Sequence, residues 1–279
     1  MSEIWNTLFI EPLVNGLVFF YQLTGNLGVA IILFTIFIRF LLLPLTLPSL
    51  RAAQKMRELA PYLERIKKRH KDDRAKLAQA QSELYRQHGV NPLAGCLPQI
   101  IQIVILIALF NVFFRIFTPT QETSVATKLN EFLWPFLQLP EDTTIDLRFL
   151  HLDLVYPDVF SLPPLPIPLP GVFLIASAFV QFLSSKMMMP ALSNDQKQAQ
   201  KTPGEMDNLA VSLQQSMLWT FPAMTLVVGY TFPSGLVLYW FVFSLFQMVQ
   251  QYFTSGWGGL TPWLIKVGLL KLTDEKNKK

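Results

Sequence analysis

Apolar residues in this chain come in long runs, separated by stretches that are polar, charged or rich in proline. A helix needs roughly 20 mostly apolar residues to cross a bilayer. Five runs fit that length, at 27–48, 94–118, 170–189, 214–231 and 233–253, and each is expected to be a transmembrane helix. Before them, residues 1–26 are apolar but interrupted by Asn15, Gly16, Gln22 and Gly25. They are expected to form an amphipathic segment along the membrane surface, with a further buried span as the alternative. They hold Glu3 and Glu11 but no Lys or Arg, so no basic region of a cleavable signal is read.

Between the first two runs, residues 49–93 show a helical period instead. "MRELAPYLERIKKRHKDD" sets Met56, Leu59, Leu63 and Ile66 on one face. "RAKLAQAQSELYRQHG" sets Leu77 and Leu84 one heptad apart and ends at Gly89, a fitting helix cap. The expectation is an antiparallel helical hairpin. Pro61 suits the first turn of a helix better than its interior, which predicts a break from the first span. In the loop at 119–169, "SLPPLPIPLP" cannot be a regular helix and reads as a stiff extended connector. "LNEFLWPFLQLP" suits the membrane interface, with Trp134 at headgroup level. The loop at 190–213 is polar, and the tail at 254–279 reads as interfacial and then charged.

Composition supports the membrane reading: 51% of the residues are hydrophobic and 15% charged, with a mean hydropathy of +0.36. Charge then orients the chain. The hairpin carries Arg65, Lys67, Lys68, Arg69 and Lys71 among many other cations, whereas the loop at 119–169 is mainly acidic. Cytoplasmic loops carry the excess of Lys and Arg. The hairpin, the loop at 190–213 and the tail are therefore expected in the cytoplasm, with the N-terminus and the loop at 119–169 outside. The fold class expected is an all-α polytopic membrane protein of five transmembrane helices with a cytoplasmic hairpin. The basic balance follows from this sidedness and does not indicate sequence-specific nucleic-acid binding.

Candidate chemistry is sparse. Cys96 is the only cysteine, and His70, His88 and His151 have no ligand spacing, so no metal, cofactor or nucleophile is expected. No Gly-rich nucleotide loop is present. The informative residues are polar ones at helical spacing inside the apolar runs. Thr35 precedes Arg39 by one turn, Ser177, Gln181 and Ser184 step by four and three, and Trp240, Ser244, Gln247 and Gln251 step by four, three and four. Each set keeps to one face of its helix. Hydrogen-bonding glue between helices is one reading of such stripes. Gln99 and Gln102 read as interfacial or packing residues.

Arg39 points to a second reading. It lies midway along its run, where an arginine costs about 2.5–3.5 kcal/mol on insertion scales, and no Asp or Glu lies in any run to offset it. Water and neutral acceptors remain, which describes a hydrated groove between helices. An arginine satisfied by backbone carbonyls is the alternative. A groove of this kind suits a device that handles polar or anionic groups, and an insertase or a small-solute transporter or channel both fit. An ion-coupled transporter usually needs an intramembrane acid and often shows repeated halves, and neither is visible.

Three segments carry a family resemblance. "GVNPLAGCLPQIIQIVILIALF" (89–110), "FPSGLVLYWFVFSLFQMVQQ" (232–251) and "FIRFLLLPLT" (37–46) resemble, in order and spacing, core spans of the bacterial YidC membrane protein insertases, and the likeness extends from about residue 10 to 255. It implies five core helices around a hydrophilic groove open to cytoplasm and lipid. By motif, Arg39 matches the groove arginine, Gln181 a polar groove residue and Trp240 an aromatic one. The function it implies is insertion and chaperoning of nascent membrane proteins into the cytoplasmic membrane, with no covalent chemistry. The lipid bilayer, the ribosome, the Sec translocon and signal-recognition components are the implied partners. The chain departs from many Gram-negative members, which add a span and a large periplasmic domain, and from many Gram-positive members, which carry a lipoprotein cysteine.

Overall fold

The computed structural model describes residues 2–70, 73–90, 97–114, 124–164, 166–188 and 207–270, some of them, Lys67 and Lys68 included, by their backbone alone. Lys71, Cys96 and Arg115 lie outside the described residues, as do 189–206 and the tail beyond 270. The chain is mostly helical. α1 (Ser2–Trp5) runs through a π-turn at Asn6–Ile10 into α2 (Glu11–Thr24), and α3 (Leu27–Glu58) follows. After α3 come α4 (Ala60–Arg69), α5 (Arg74–Gln87), α6 (Leu97–Val112) and α7 (Val125–Asn130). The last four helices are α8 (Val172–Met188), α9 (Asp207–Gly229), α10 (Ser234–Ser255) and α11 (Thr261–Lys266).

Among the described residues, three stretches are long and apolar enough to cross a membrane: Glu3–Thr24, Leu27–Ser49 and Ser234–Thr254. Ile100–Val112, Val172–Met187 and Leu218–Gly229 are shorter apolar helices. The first of the long stretches covers the segment that the sequence breaks at Asn15 and Gly16, yet its helix runs on to Thr24. It stops at Gly25, whose φ of 69° is the left-handed geometry that glycine adopts without strain. Asn15 does not interrupt it, because a tertiary contact satisfies its side chain. Nδ2 donates to the Phe132 carbonyl at 2.8 Å, and Oδ1 accepts from the Trp134 N–H at 2.8 Å.

The fold divides into two compact units, one taking in 1–46, 96–180 and 222–246 and the other 47–95, 181–221 and 247–279. The first is built around an apolar cluster that includes Val14, Leu17, Ala30, Phe34, Leu109, Leu129, Leu154 and Leu236. Its loop carries two short antiparallel ladders, which are the departure from an all-helical chain. β1 (Arg148–Phe149) pairs with β2 (Leu152–Asp153), and β3 (Val159–Phe160) pairs with β4 (Leu169–Pro170). The second ladder closes the base of the proline-rich segment, so the connector returns on itself.

This loop holds several helix ends together. Asn26 caps α3, its Oδ1 accepting from the Val29 N–H at 3.0 Å while its Nδ2 donates to the Arg148 carbonyl at 3.3 Å. At the start of α10, the Ser234 and Gly235 N–H groups donate to the Tyr156 and Leu154 carbonyls at 2.8 and 3.0 Å. Just past α9, the Tyr230 hydroxyl donates to the Pro168 carbonyl at 3.0 Å. The α8 start is held by Asp158, whose Oδ2 accepts from the Leu174 N–H at 2.9 Å. Thus α3, α8 and α10 all begin at this loop, and α9 ends at it.

Asp158 is 5% exposed, and Gly171 packs so closely on its carboxylate that no side chain fits there. A helix start is stabilised by an acceptor and by negative charge. Removing that acceptor as Asp158→Ala is expected to cost about 1–2 kcal/mol. Thermal unfolding in detergent should show this as a lowered midpoint, with Asp158→Asn falling between. An alanine variant that melts with the wild type would remove the cap from the account.

In the second unit, α4 and α5 form a hairpin. Leu59, Leu84 and Val90 are buried between them, with Leu63, Ile66 and Tyr85 packed alongside. The break from α3 falls at Leu59, two residues before Pro61. Asp73 caps α5 through the Lys76 N–H at 3.0 Å and pairs with the Lys76 ammonium at 2.9 Å. That N–H, and then the ammonium, hold its carboxyl below the ordinary carboxylate value. Arg65 and Arg69 are exposed on this hairpin.

Candidate functional site

The buried face of α3 changes character halfway along. From Leu27 to Phe34 its buried residues are Leu27, Gly28, Ala30, Ile31 and Phe34; from Thr35 to Ser49 they are Thr35, Arg39, Thr46 and Ser49. The spacing is that of one helix face, and Phe37, Phe40 and Leu41 occupy the exposed sides. On α10 the buried residues run from Leu236 through Trp240 and Val242 to Ser244, then Gln250 and Gln251. Apart from Ser234, whose hydroxyl bonds the loop at the Asp153 carbonyl, both helices bury apolar groups near the loop and polar ones farther along. Burying polar groups costs free energy unless they are bonded, so this polar interior needs partners that an apolar core would not.

Arg39 is 8% exposed. Its Nη2 donates to the Phe243 carbonyl at 3.1 Å. Its guanidinium carbon lies 3.5 Å from the centroid of the Phe243 ring and 5.7 Å from that of Phe246. A guanidinium over an aromatic face is attracted by the ring quadrupole, by about 2 kcal/mol or more when desolvated. One aromatic residue of α10 thus supplies both a carbonyl and a π-face to the charge, and Phe246 stacks edge-on with Phe40 of α3 at 5.2 Å. Both contacts come from one turn of α10.

The other residues singled out by sequence have separate surroundings. Thr35 is buried and donates back to the Ile31 carbonyl at 2.6 Å. Ser177 is fully buried, bonds the Phe173 carbonyl at 2.7 Å and reaches the Val237 carbonyl of α10 at 3.5 Å. Trp240 and Ser244 are buried on α10. Farther along α8, Gln181 is half-buried, and Ser184 is buried with no hydrogen-bond partner for its Oγ among the described residues. Of Arg65, Lys67, Lys68, Arg69 and Lys71 in the hairpin, only Arg65 and Arg69 have described side chains.

The aromatic contacts of Arg39 were not singled out by the polar stripes. At 3.6 residues per turn, Tyr239, Phe243 and Phe246 cluster on one face of α10, roughly 100° round from the Trp240, Ser244, Gln247 and Gln251 stripe. Arg39 rests on the aromatic face. Period alone shows that face but reads it as packing, since nothing in it is polar but one hydroxyl. Gln102, which reads as interfacial or packing, is 9% exposed and donates through Nε2 to the Tyr239 hydroxyl at 3.3 Å, so it packs.

Comparison with known proteins agrees with this architecture. Residues 19–257 match the family model described as 60Kd inner membrane protein. The chain is 34% identical over 255 residues to a membrane protein insertase YidC of Fusobacterium nucleatum, covering 91% of this chain and 97% of that protein. It is 32% identical to a membrane protein insertase YidC 2 of Bacillus anthracis, covering 91% of this chain and 82% of that one. Against a YidC of Geobacter sulfurreducens it is 29% identical, covering 90% of this chain but 38% of the relative. Among solved structures it resembles an active YidC insertase crystallised with its first transmembrane domain resolved. The TM-score is 0.51 at 25% identity, over 87% of this chain and 46% of that one. Together with the apolar helices these matches make it an integral inner-membrane protein. The chain belongs to the 60Kd inner membrane protein family, that of the YidC membrane protein insertases.

Proposed function

We propose that this protein is a membrane protein insertase and chaperone that takes the hydrophilic or acidic tail of a nascent membrane protein into a polar interior containing Arg39. The observation that carries the reading is the change of the buried face of α3 from apolar to polar at Thr35, with Arg39 inside it. Arg39 lodges on a π-face and a carbonyl of α10, and none of the five apolar runs holds an acid. Such a charge lowers the cost of bringing a client's carboxylates partway into the bilayer. The apolar half near the loop at 119–169 closes the other end.

In this reading five helices, α3, α6, α8, α9 and α10, span the membrane, and the segment at 1–26 lies along the outer surface. The N-terminus is outside and the hairpin in the cytoplasm. The common origin of α3, α8 and α10 at one loop supports that alternation. Thr35, Ser177, Trp240 and Ser244 line the polar interior; Gln181 and Ser184 follow Ser177 at helical spacing on the same face of α8. The client's apolar segment passes into lipid, driven by hydrophobic transfer, while the membrane potential acts on its negative charge. The hairpin cations Arg65, Lys67, Lys68, Arg69 and Lys71 receive ribosome, signal-recognition or Sec components.

Site-specific crosslinking tests this. Cysteine placed at Ser177 or Trp240 in a variant lacking Cys96 should capture the tail of a stalled single-span client, and cysteine at the exposed Phe37 should capture its apolar segment. Capture of tails at position 37 alone would overturn the polar route. Flux of small solutes through client-free vesicles would replace it with a transporter.

A further inference from the structure

The pair Gln102 and Tyr239 is half satisfied in a way that specifies a ligand. Both side chains are buried, at 9% and 4% exposure, on α6 and α10 of the same compact unit. Gln102 Nε2 donates to the Tyr239 hydroxyl at 3.3 Å. Gln102 Oε1 is buried with no hydrogen-bond partner among the described residues. The Tyr239 hydroxyl is the acceptor in that bond, so its own proton remains to be donated, and no acceptor for it is found among the described residues. Buried polar atoms are nearly always paired. Turning the amide over lets the Tyr239 hydroxyl donate to Oε1 but leaves the Gln102 NH2 unpaired beside the phenol oxygen, again one donor and one acceptor.

The vacant positions are one acceptor and one donor, presented together. A peptide group is their complement: its N–H donates to Gln102 Oε1, and its C=O accepts from the Tyr239 hydroxyl. The place is also apt. The Tyr239 ring lies 6.0 Å from the Phe243 ring, centroid to centroid, and the Arg39 guanidinium sits over Phe243. The pair thus lies one aromatic ring away from the guanidinium.

We infer that Gln102 and Tyr239 form a backbone-binding site that takes a main-chain amide of the client beside Arg39, independent of the client's sequence. This rests on the insertase reading and deepens it: Arg39 reads charge, and the pair supports any tail, charged or neutral, by replacing water on its peptide groups. Such a site gives a reason for a carboxamide and a phenol where packing alone would accept Leu and Phe.

Amide-to-ester substitution in the client tests this directly. A synthetic single-span client with a neutral tail is made with amides, and again with backbone esters in the tail, which remove the N–H and weaken the carbonyl acceptor. Both are offered to vesicles of the full-length protein, wild type and the Gln102→Leu/Tyr239→Phe double variant, and to protein-free vesicles. The double variant is expected to slow the amide client by about fivefold, the effect of one hydrogen bond. The ester client's disadvantage relative to the amide, corrected for protein-free vesicles, should be present with wild type and vanish with the double variant. An ester disadvantage of equal size with both proteins overturns the site, and so does no disadvantage with wild type. If wild type inserts the amide client no faster than protein-free vesicles, the insertase reading itself fails. Loss of fold in the double variant is separated by the single variant Tyr239→Phe, which keeps the ring and is expected to lose part of the ester effect.

Discussion

Arg39→Glu is expected to slow insertion of a client with an acidic tail by about tenfold to a hundredfold, while a client whose tail acids are changed to amides slows far less. The magnitude follows from the charge. At roughly 7–8 Å and an effective dielectric of about 20, two unit charges interact by about 2 kcal/mol. Reversing the sign doubles that difference, and water in the polar interior reduces it again. A net change of about 1.4–2.8 kcal/mol in the barrier corresponds to the stated range. The structure adds a condition. Arg39 is also held by the Phe243 carbonyl and ring, so a glutamate there faces a carbonyl oxygen and the negative face of a ring.

Arg39→Gln and Arg39→Lys separate these effects. Glutamine keeps a donor for the Phe243 carbonyl without charge, and should fold normally while losing the preference for acidic tails. Lysine keeps the charge but not the planar fork that bonds and stacks at once, and should keep most of that preference. Insertion rates into proteoliposomes, compared between acidic and neutral clients, give the answer. Equal slowing of both clients by Arg39→Glu would mean that the residue acts through folding rather than capture.

Asn15→Leu is expected to be among the most destabilising single substitutions in the chain, by about 2–5 kcal/mol. Asn15 is 1% exposed. Besides its bonds to Phe132 and Trp134, its Nδ2 reaches the Glu11 carbonyl at 2.8 Å. Leucine has nearly the right volume but leaves the Phe132 carbonyl and the Trp134 N–H unpaired, and each such buried group costs about 1–3 kcal/mol. The midpoint of thermal unfolding in detergent should fall, and amide exchange should rise through residues 124–139. Asn15→Asp keeps the acceptor for Trp134 but not the donor for Phe132, so it should be milder. An Asn15→Leu protein as stable as wild type would show that the segment at 132–134 is held by its apolar contacts alone.

That residue also shows where sequence reading stops. Asn15 and Gly16 read as interruptions because a one-dimensional pattern prices an amide in an apolar run as a cost. The amide is in fact bonded to atoms 117 and 119 residues away. For Gln102 the same limit left an interfacial and a packing reading open, since the partner that decides for packing is 137 residues distant. Apolar runs, by contrast, were legible at once, because the need to cover a bilayer thickness with intrahelical hydrogen bonds fixes both length and composition locally. The pairing of α4 with α5 was legible through the helical period, and Leu59 and Leu84 meet in its core, but the first span's helix runs on to Glu58, past the expected start at 49.

The sequence by itself therefore determined that this is a helical membrane chain, that one guanidinium sits midway along an apolar run, and that its family is that of the YidC insertases. Hydropathy, period and motif order are properties of neighbouring residues and need no fold to be read. Only the tertiary structure decided what holds Arg39, because the Phe243 carbonyl and ring come from a helix 204 residues away. Only it showed that the buried side of α3 turns from apolar to polar at Thr35. Which face of a helix is buried depends on what packs against it, and a lipid-facing and a protein-facing leucine look the same in sequence.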